Sequence, residues 1–293
     1  MFGLIEMVAP PEDFISRLRS RFGKPELHAG ELSGTRVLTA RVPFFPGERR
    51  APARRRMEKA ARELAGRGIR WAVFPRDFSF YREFAGHGIG PVPVLPLYQR
   101  MAAELVFRIM EERGVKPERA TVAVCGEHVS YPMREAALSL SRQVRYIAVA
   151  ASYGGESLCR TLRRDLGVPV VFNPTGKQIA AADVLVLFSR PETLSRGGRG
   201  AILALYEGAE ENAGTATGAF FRLPRELDIK VPPDSDANQL LAALMESGSV
   251  GPGDIQIESI LWGTDGKKEK EDADTGGAAG EKSDGVQHSP QGT

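Results

Sequence analysis

TVAVCGEHVSYPMREAALSLSRQVRYIAVAASYGGESLCRTLRRDLGVPVVFNPTGKQIAAADVLVLFSRP, residues 121–191, decides the fold. Within it TVAVCG, VRYIAVAAS and ADVLVLFSR are short apolar runs rich in Val, Ile and Ala, the pattern of parallel strands covered on both faces. VPVVFN supplies a further short strand. The intervening segments are amphipathic, so the order is strand, helix, strand, helix, strand, loop, strand, and the crossover rule makes the sheet largely parallel. Beyond it, AILALYEG and FFRLP read as further strands. DANQLLAALMESG reads as a helix burying Leu240, Leu241, Leu244 and Met245, and IQIESILW as a last strand.

Toward the amino end the pattern is a smaller α/β unit. FGLIEMVA, TRVLTARVPFF and IRWAVFP read as strands. A helix over residues 11–22 carries Phe14, Ile15, Leu18 and Phe22 on one face, and a second over residues 53–65 carries Met57, Ala60, Ala61 and Leu64 inward. GIGPVPVLPL, residues 88–97, is too rich in Pro and Gly for a helix or a central strand and marks a connector. A helix over residues 98–113 follows, with Met101, Leu105, Val106, Ile109 and Met110 on a broad apolar face. The expected division is residues 1–97, residues 98–262 and a tail, residues 263–293, too polar to offset the entropy of ordering and therefore disordered.

The 293 residues carry a net charge of +2, which excludes a molecule that is globally an electrostatic trap for nucleic acid or an anionic membrane. No run approaches the ~20 apolar residues that span a bilayer, and the first residues lack a signal-peptide pattern, so a cytoplasmic location is the default expectation. The densest positive cluster, Arg49, Arg50, Arg54, Arg55 and Arg56, lacks interleaved aromatics and reads as the wet face of the helix over residues 53–65. Cys125 and Cys159 read as reduced core thiols, Cys125 ending a strand and Cys159 on the inner face of a helix.

VAVCGEHVSYPMREAALSLSRQVRYIAVAAS resembles the first strand, helix and second strand of Rossmann-like dinucleotide-binding domains, and GVPVVFN, ADVLVLFSRP and GAILALYEG keep a similar rhythm over a little more than half the chain. The resemblance implies an α/β fold with a mostly parallel, Rossmann-like sheet, and a phosphate held at a glycine-rich turn leading into a helix. Only Gly126 matches the glycine pattern. His128 and Tyr131 take the other two glycine positions, and Ala150 and Ala151 end the second strand where an acid would hold a ribose hydroxyl. NPTGKQ departs from a P-loop at Val171 and Gln178.

In open parallel sheets, ligands bind beyond the carboxyl ends of the strands. That rule selects Gly126 and Ser130 after the first strand of the stretch, with Glu127 and His128 as candidate acid and base. It selects Ser152, Gly154 and Gly155 after the second strand, Asn173, Thr175 and Lys177 after the third, and Ser189 and Arg190 after the fourth. SYGGES is the most anion-like loop, because two glycines before a helix free backbone N–H groups. Cys125 and His128 lack a second ligand pair at metal spacing. The sequence therefore points to a small-molecule partner, an anionic ligand bound in an interdomain cleft without a complete catalytic set. The alternative is an NAD(P)-dependent oxidoreductase-like enzyme with a degenerate glycine loop. The cofactor is left open, and neither a membrane nor nucleic acid is the expected partner.

Overall fold

The computed structural model describes residues 1–9, 13, 25–45, 47–191, 198–210, 212–228 and 230–263. The helix expected over residues 11–22 and the tail beyond Gly263 lie outside the described residues. Two sheets organise the rest.

The first has five strands: β1 Phe2–Val8, β2 Glu26–Leu32, β3 Thr35–Pro43, β4 Trp71–Val73 and β5 Gly90–Pro91, in the order β2-β3-β1-β4-β5. All pairs are parallel except β2 with β3. The sequence reading lacks β2, a mostly exposed edge strand with few apolar residues. Its turn, Ser33-Gly34, has positive φ at both residues (46° and 82°), the two-residue hairpin geometry that matches strand twist. β5 is a two-residue edge, where a proline costs no ladder bond. Helix α1, Arg50–Gly66, lays Ala53, Met57, Ala60, Ala61 and Leu64 on this sheet, and α2, Tyr81–Ala85, adds Phe84. Phe74, Phe78 and Phe84 meet with ring centroids 4.8–5.6 Å apart, within aromatic pairing range.

Arg56 is buried, not on the wet face of α1. It lies three residues after Ala53 and four before Ala60, so helical spacing turns it inward with them. Its guanidinium pairs with Glu48, donates through Nε to the Pro43 carbonyl at 2.9 Å and sits 4.9 Å from the Phe45 ring centroid.

The second sheet holds β6 Thr121–His128, β7 Tyr146–Tyr153, β8 Val170–Phe172, β9 Val184–Leu187, β10 Ala201–Ala204, β11 Thr215–Arg222 and β12 Gln256–Trp262. Its order is β12-β11-β10-β9-β6-β7-β8, with only the β11–β12 pair antiparallel. Numbered from β6, the first six strands run 3-2-1-4-5-6, the Rossmann order, so the fold is Rossmann-like α/β with mostly parallel sheets. The expected helix over residues 98–113 forms as two, α3 Leu95–Arg100 and α4 Ala102–Glu112, joined at Met101. The remaining helices are α5 Tyr131–Ser141, α6 Gly155–Leu166, α7 Gly176–Ala180, α8 Arg225–Asp228 and α9 Ala237–Glu246. No helix among the described residues is long and apolar enough to cross a membrane.

The strands divide their side chains by pleat. Val122, Val124, Ile147, Val149, Val184 and Val186 enter a large core with α3, α4, α5, α6 and α9. Ala123, Cys125, Ala148, Leu185 and Leu187 face the other way into a small cluster with Ile179, Ile202 and Tyr206. Among the described residues the β8–β9 crossover contributes only the five-residue α7 to that second face.

The large core also takes in Phe2, Leu4, Val37 and Val73 of the five-stranded sheet. Hydrogen bonds reinforce the junction. The Thr35 hydroxyl lies 2.6 and 2.5 Å from those of Ser247 and Ser249. Phe74 donates its N–H to Gln239 Oε1 at 3.1 Å and accepts from the Asp236 N–H at 3.0 Å. Asp236 also caps α9, accepting from the N–H groups of Asn238 and Gln239, which satisfies donors a helix start leaves unpaired.

Candidate functional site

The carboxyl end of β6 shows why the glycine loop of the resemblance is missing. β6 runs two residues past Gly126, paired through His128 with Tyr153, and the Val129 N–H extends the contact to the Tyr153 carbonyl at 2.9 Å. A Cβ on Gly126 would come within 3.0 Å of Met133 Sδ, so this glycine permits close approach of α5. Ser130 caps α5, its Oγ accepting from the Met133 N–H at 3.3 Å, and Pro132 has no N–H to offer. Of the first three helical positions only Tyr131 keeps an uncommitted N–H. The phosphate cradle of a dinucleotide domain is not built here.

SYGGES is likewise explained by local structure. Gly154 takes φ 79° as the residue before α6. A Cβ on the buried Gly155 would lie 2.8 Å from the Phe172 ring and 3.2 Å from Ala151 Cβ, so close helix–sheet packing requires the glycine. Glu156 in the first turn places a carboxylate where an anion would sit. Thr175 and Gln178 form a capping box on α7: the Thr175 N–H donates to Gln178 Oε1 at 2.8 Å and the Gln178 N–H to Thr175 Oγ1 at 3.4 Å. The T-x-x-Q spacing was the sequence signal for it.

A cavity of about 630 Å³ opens at the carboxyl ends of β6, β7, β8 and β9. It brings together Gly126, Glu127, Ser152, Asn173, Ser189 and Arg190, with Tyr153 at its wall. Cys125, Ala150, Ile179, Leu185 and Leu187 give it an apolar floor on the face that α7 covers. All lining residues belong to the seven-stranded half of the chain. Ser130, Gly154, Gly155, Thr175 and His128 are not in the lining, and Lys177 lines a different cavity, at the amino ends of the strands. Glu127 and His128 are successive strand residues and project to opposite sides of the sheet.

Within the cavity, Ser189 Oγ accepts the Glu127 N–H at 2.8 Å, which ties the end of β9 to that of β6 and leaves the hydroxyl proton free to donate. Asn173 holds a left-handed φ of 48°, a conformation that asparagine tolerates better than most residues, and its N–H bonds the Val149 carbonyl at 2.9 Å. The Arg190 guanidinium is exposed, 4.0 Å from the Glu210 carboxylate.

Burial pushes the Cys125 thiol up to about 11 and raises Cys159 as well. Both cysteines are free. A thiol titrating near 11 has roughly a hundredth of the thiolate that a thiol titrating near 9 shows at pH 8. Reaction of Cys125 in the native chain with a thiol-disulfide reagent at pH 8 is therefore expected to be about a hundredfold slower than after unfolding in urea. Equal rates would remove burial as the control on this thiol. Among the described residues no three His, Cys, Asp or Glu side chains converge as metal ligands do.

No protein-family model matches the chain, and no curated protein does. Among solved structures, a Bordetella pertussis protein described as a "probable ornithine cyclodeaminase" aligns at 21% identity over 37% of this chain and 36% of that one, with a TM-score of 0.28. The catalytic subunit of M. jannaschii aspartate transcarbamoylase aligns at 12% identity over 84% and 87%, with a TM-score of 0.32. Quinate dehydrogenase from Corynebacterium glutamicum, solved in complex with NAD, aligns at 14% identity over 69% and 79%, with a TM-score of 0.27. The chain thus spans about a third of the length of the first of these. At such identities and TM-scores the likeness assigns neither ligand nor reaction.

Proposed function

We propose that this protein binds a small anionic molecule in the cavity at the carboxyl ends of β6 to β9, without catalysing its conversion. The observation that carries this reading is the convergence of Arg190, Ser189, Asn173 and Ser152 over an apolar floor. They do so at the β6/β9 switch point, where open parallel sheets take their ligands. Arg190 supplies the charge, the Ser189 and Ser152 hydroxyls and the Asn173 amide supply donors, and the floor accepts an apolar body. Glu127 on the same wall suits a ligand that also carries a donor. The commitment of the α5 and α7 amino termini to Ser130 and Thr175 supports side chains, not helix ends, as the anion's partners.

The test is a thermal-shift series on the full chain with anionic metabolites, NAD, NADP and adenine nucleotides. A ligand at about 100 times its dissociation constant adds roughly 2.7 kcal/mol of stability. Arg190→Gln is expected to abolish that shift while leaving the unliganded melting temperature unchanged, and Lys177→Gln is expected to leave the shift intact. An anion response that survives Arg190→Gln, or silence across the series, would overturn the reading. The NAD(P)-dependent oxidoreductase reading is favoured by the strand order alone. It requires a shift with a dinucleotide, and turnover that His128→Ala or Glu127→Gln removes.

A further inference from the structure

The amino edge of the seven-stranded sheet carries a second concentration of charge that the ligand reading does not use. A cavity of about 540 Å³ lies at the amino ends of β9 and β10, with Arg113, Lys177 and Arg199 exposed on its walls. Arg113 is held there by donating to the Arg199 carbonyl at 2.9 Å. Among the described residues Asp183 is the one carboxylate in the lining, and its Oδ2 accepts the Thr121 N–H at 2.8 Å, an anchor between β9 and β6. Three cations thus face one opening.

The chain itself delivers an acidic segment to this edge. β12 is antiparallel to β11, so it ends at the amino side of the sheet, where the Gly263 N–H donates to the Thr215 carbonyl at 2.8 Å and Gly263 bridges Ala213. Thr215 and Ala213 line a neighbouring cavity of about 700 Å³, which shares Arg113, Arg199 and Gly200 with the cationic one. Six residues past Gly263, residues 269–274 read EKEDAD: Glu269, Glu271, Asp272 and Asp274 against the single Lys270. The path from the end of β12, which Gly263 follows, to β9 is three strand spacings, about 14 Å. Six residues of extended chain reach roughly 20 Å.

We propose that residues 269–274 dock in the cationic cavity, their carboxylates paired with Arg113, Lys177 and Arg199. The assignment is independent of any ligand in the carboxyl-end cavity. Exit point, reach and charge sign agree, and the tether keeps the acidic segment at high effective concentration beside the site. Because the groups are solvent-facing, the contact is governed by screening.

The experiment is zero-length carbodiimide coupling on the full chain, which joins a lysine amine directly to a carboxylate, mapped by mass spectrometry on the monomer band. The expected result is an amide between Lys177 and one of Glu269, Glu271, Asp272 or Asp274. It should form at ~0.01 M salt, where the Debye length is about 30 Å, and be lost at ~1 M, where it is about 3 Å. Replacing Arg113 and Arg199 together by glutamine is expected to cut the yield severalfold without changing the melting temperature. The proposal is overturned if Lys177 couples to no tail carboxylate. It is equally overturned if the coupling appears only between two chains, which would make the occupant a second copy, or if the yield ignores both salt and the arginine variants.

Discussion

Arg56→Met is expected to cost about 3–5 kcal/mol, the largest single loss the structure points to, because it strands a carboxylate in the interior. The Arg56 and Glu48 side chains keep only 5% and 8% of their surface in contact with solvent. Removing the guanidinium leaves Glu48 with only the Phe45 N–H, at 3.4 Å, and deprives the Pro43 carbonyl of its donor. It also removes the cation above the Phe45 ring. Urea unfolding of parent and variant reads the difference as a drop in midpoint at unchanged slope. The companion variant separates charge from packing: Arg56→Met with Glu48→Leu is expected to recover most of the loss, since a buried pair replaced as a whole by apolar groups is often neutral. A single variant within about 0.5 kcal/mol of the parent, the scatter typical of surface changes, would show that the pair is solvated in solution.

Gly200→Ala is the second large effect. An added methyl would run into the Ala182 carbonyl oxygen and stand 2.8 Å from that of Asp183. Neither neighbour can retreat cheaply, because the Asp183 carbonyl accepts the Ala201 N–H at 2.9 Å, the hydrogen bond that starts the β9–β10 pairing. The expected cost is about 1–3 kcal/mol, the range for overpacking a fitted interior. A few degrees of melting temperature follow for each kcal/mol. Gly253→Ala, with nothing within 4 Å of the new methyl, is the control and should shift the melt little. Equal behaviour of the two variants would mean that the β9–β10 entry is loose.

The legible parts of the fold are those whose cause is local. β6, β7 and β9 announce themselves as apolar runs because both faces of their strands are covered. β2 does not, because an exposed edge strand needs no apolar alternation, and only the Ser33-Gly34 turn betrays it. Arg56 shows the limit of reading charge as exposure. Its spacing from Ala53 and Ala60 turned it inward, but the partner that makes burial tolerable, Glu48, is outside the helix. A cavity lies at the strand ends to which the crevice rule points. Which side chains converge there depends on how far each strand runs, and that is set by distant partners. The Val129–Tyr153 hydrogen bond prolongs β6 until Glu127 and His128 fall on opposite faces, a consequence no window along the chain contains. The glycines of SYGGES were read as free backbone donors, whereas Phe172 and Ala151 account for one and a left-handed turn for the other.

The core shared between the two sheets bears on how this molecule responds to heat and to ligands. Phe2, Leu4, Val37 and Val73 lie in the same apolar mass as Leu105, Leu240 and Leu244, and the Phe74–Asp236–Gln239 bonds cross the same junction. Large apolar junctions of this kind suppress hinge motion. The two sheets are therefore expected to unfold as one cooperative unit, which a single calorimetric transition would show. A ligand of the kind proposed for the cavity at the carboxyl ends of β6 to β9 would meet a cavity already formed, so little of its binding free energy would go into closing one half onto the other.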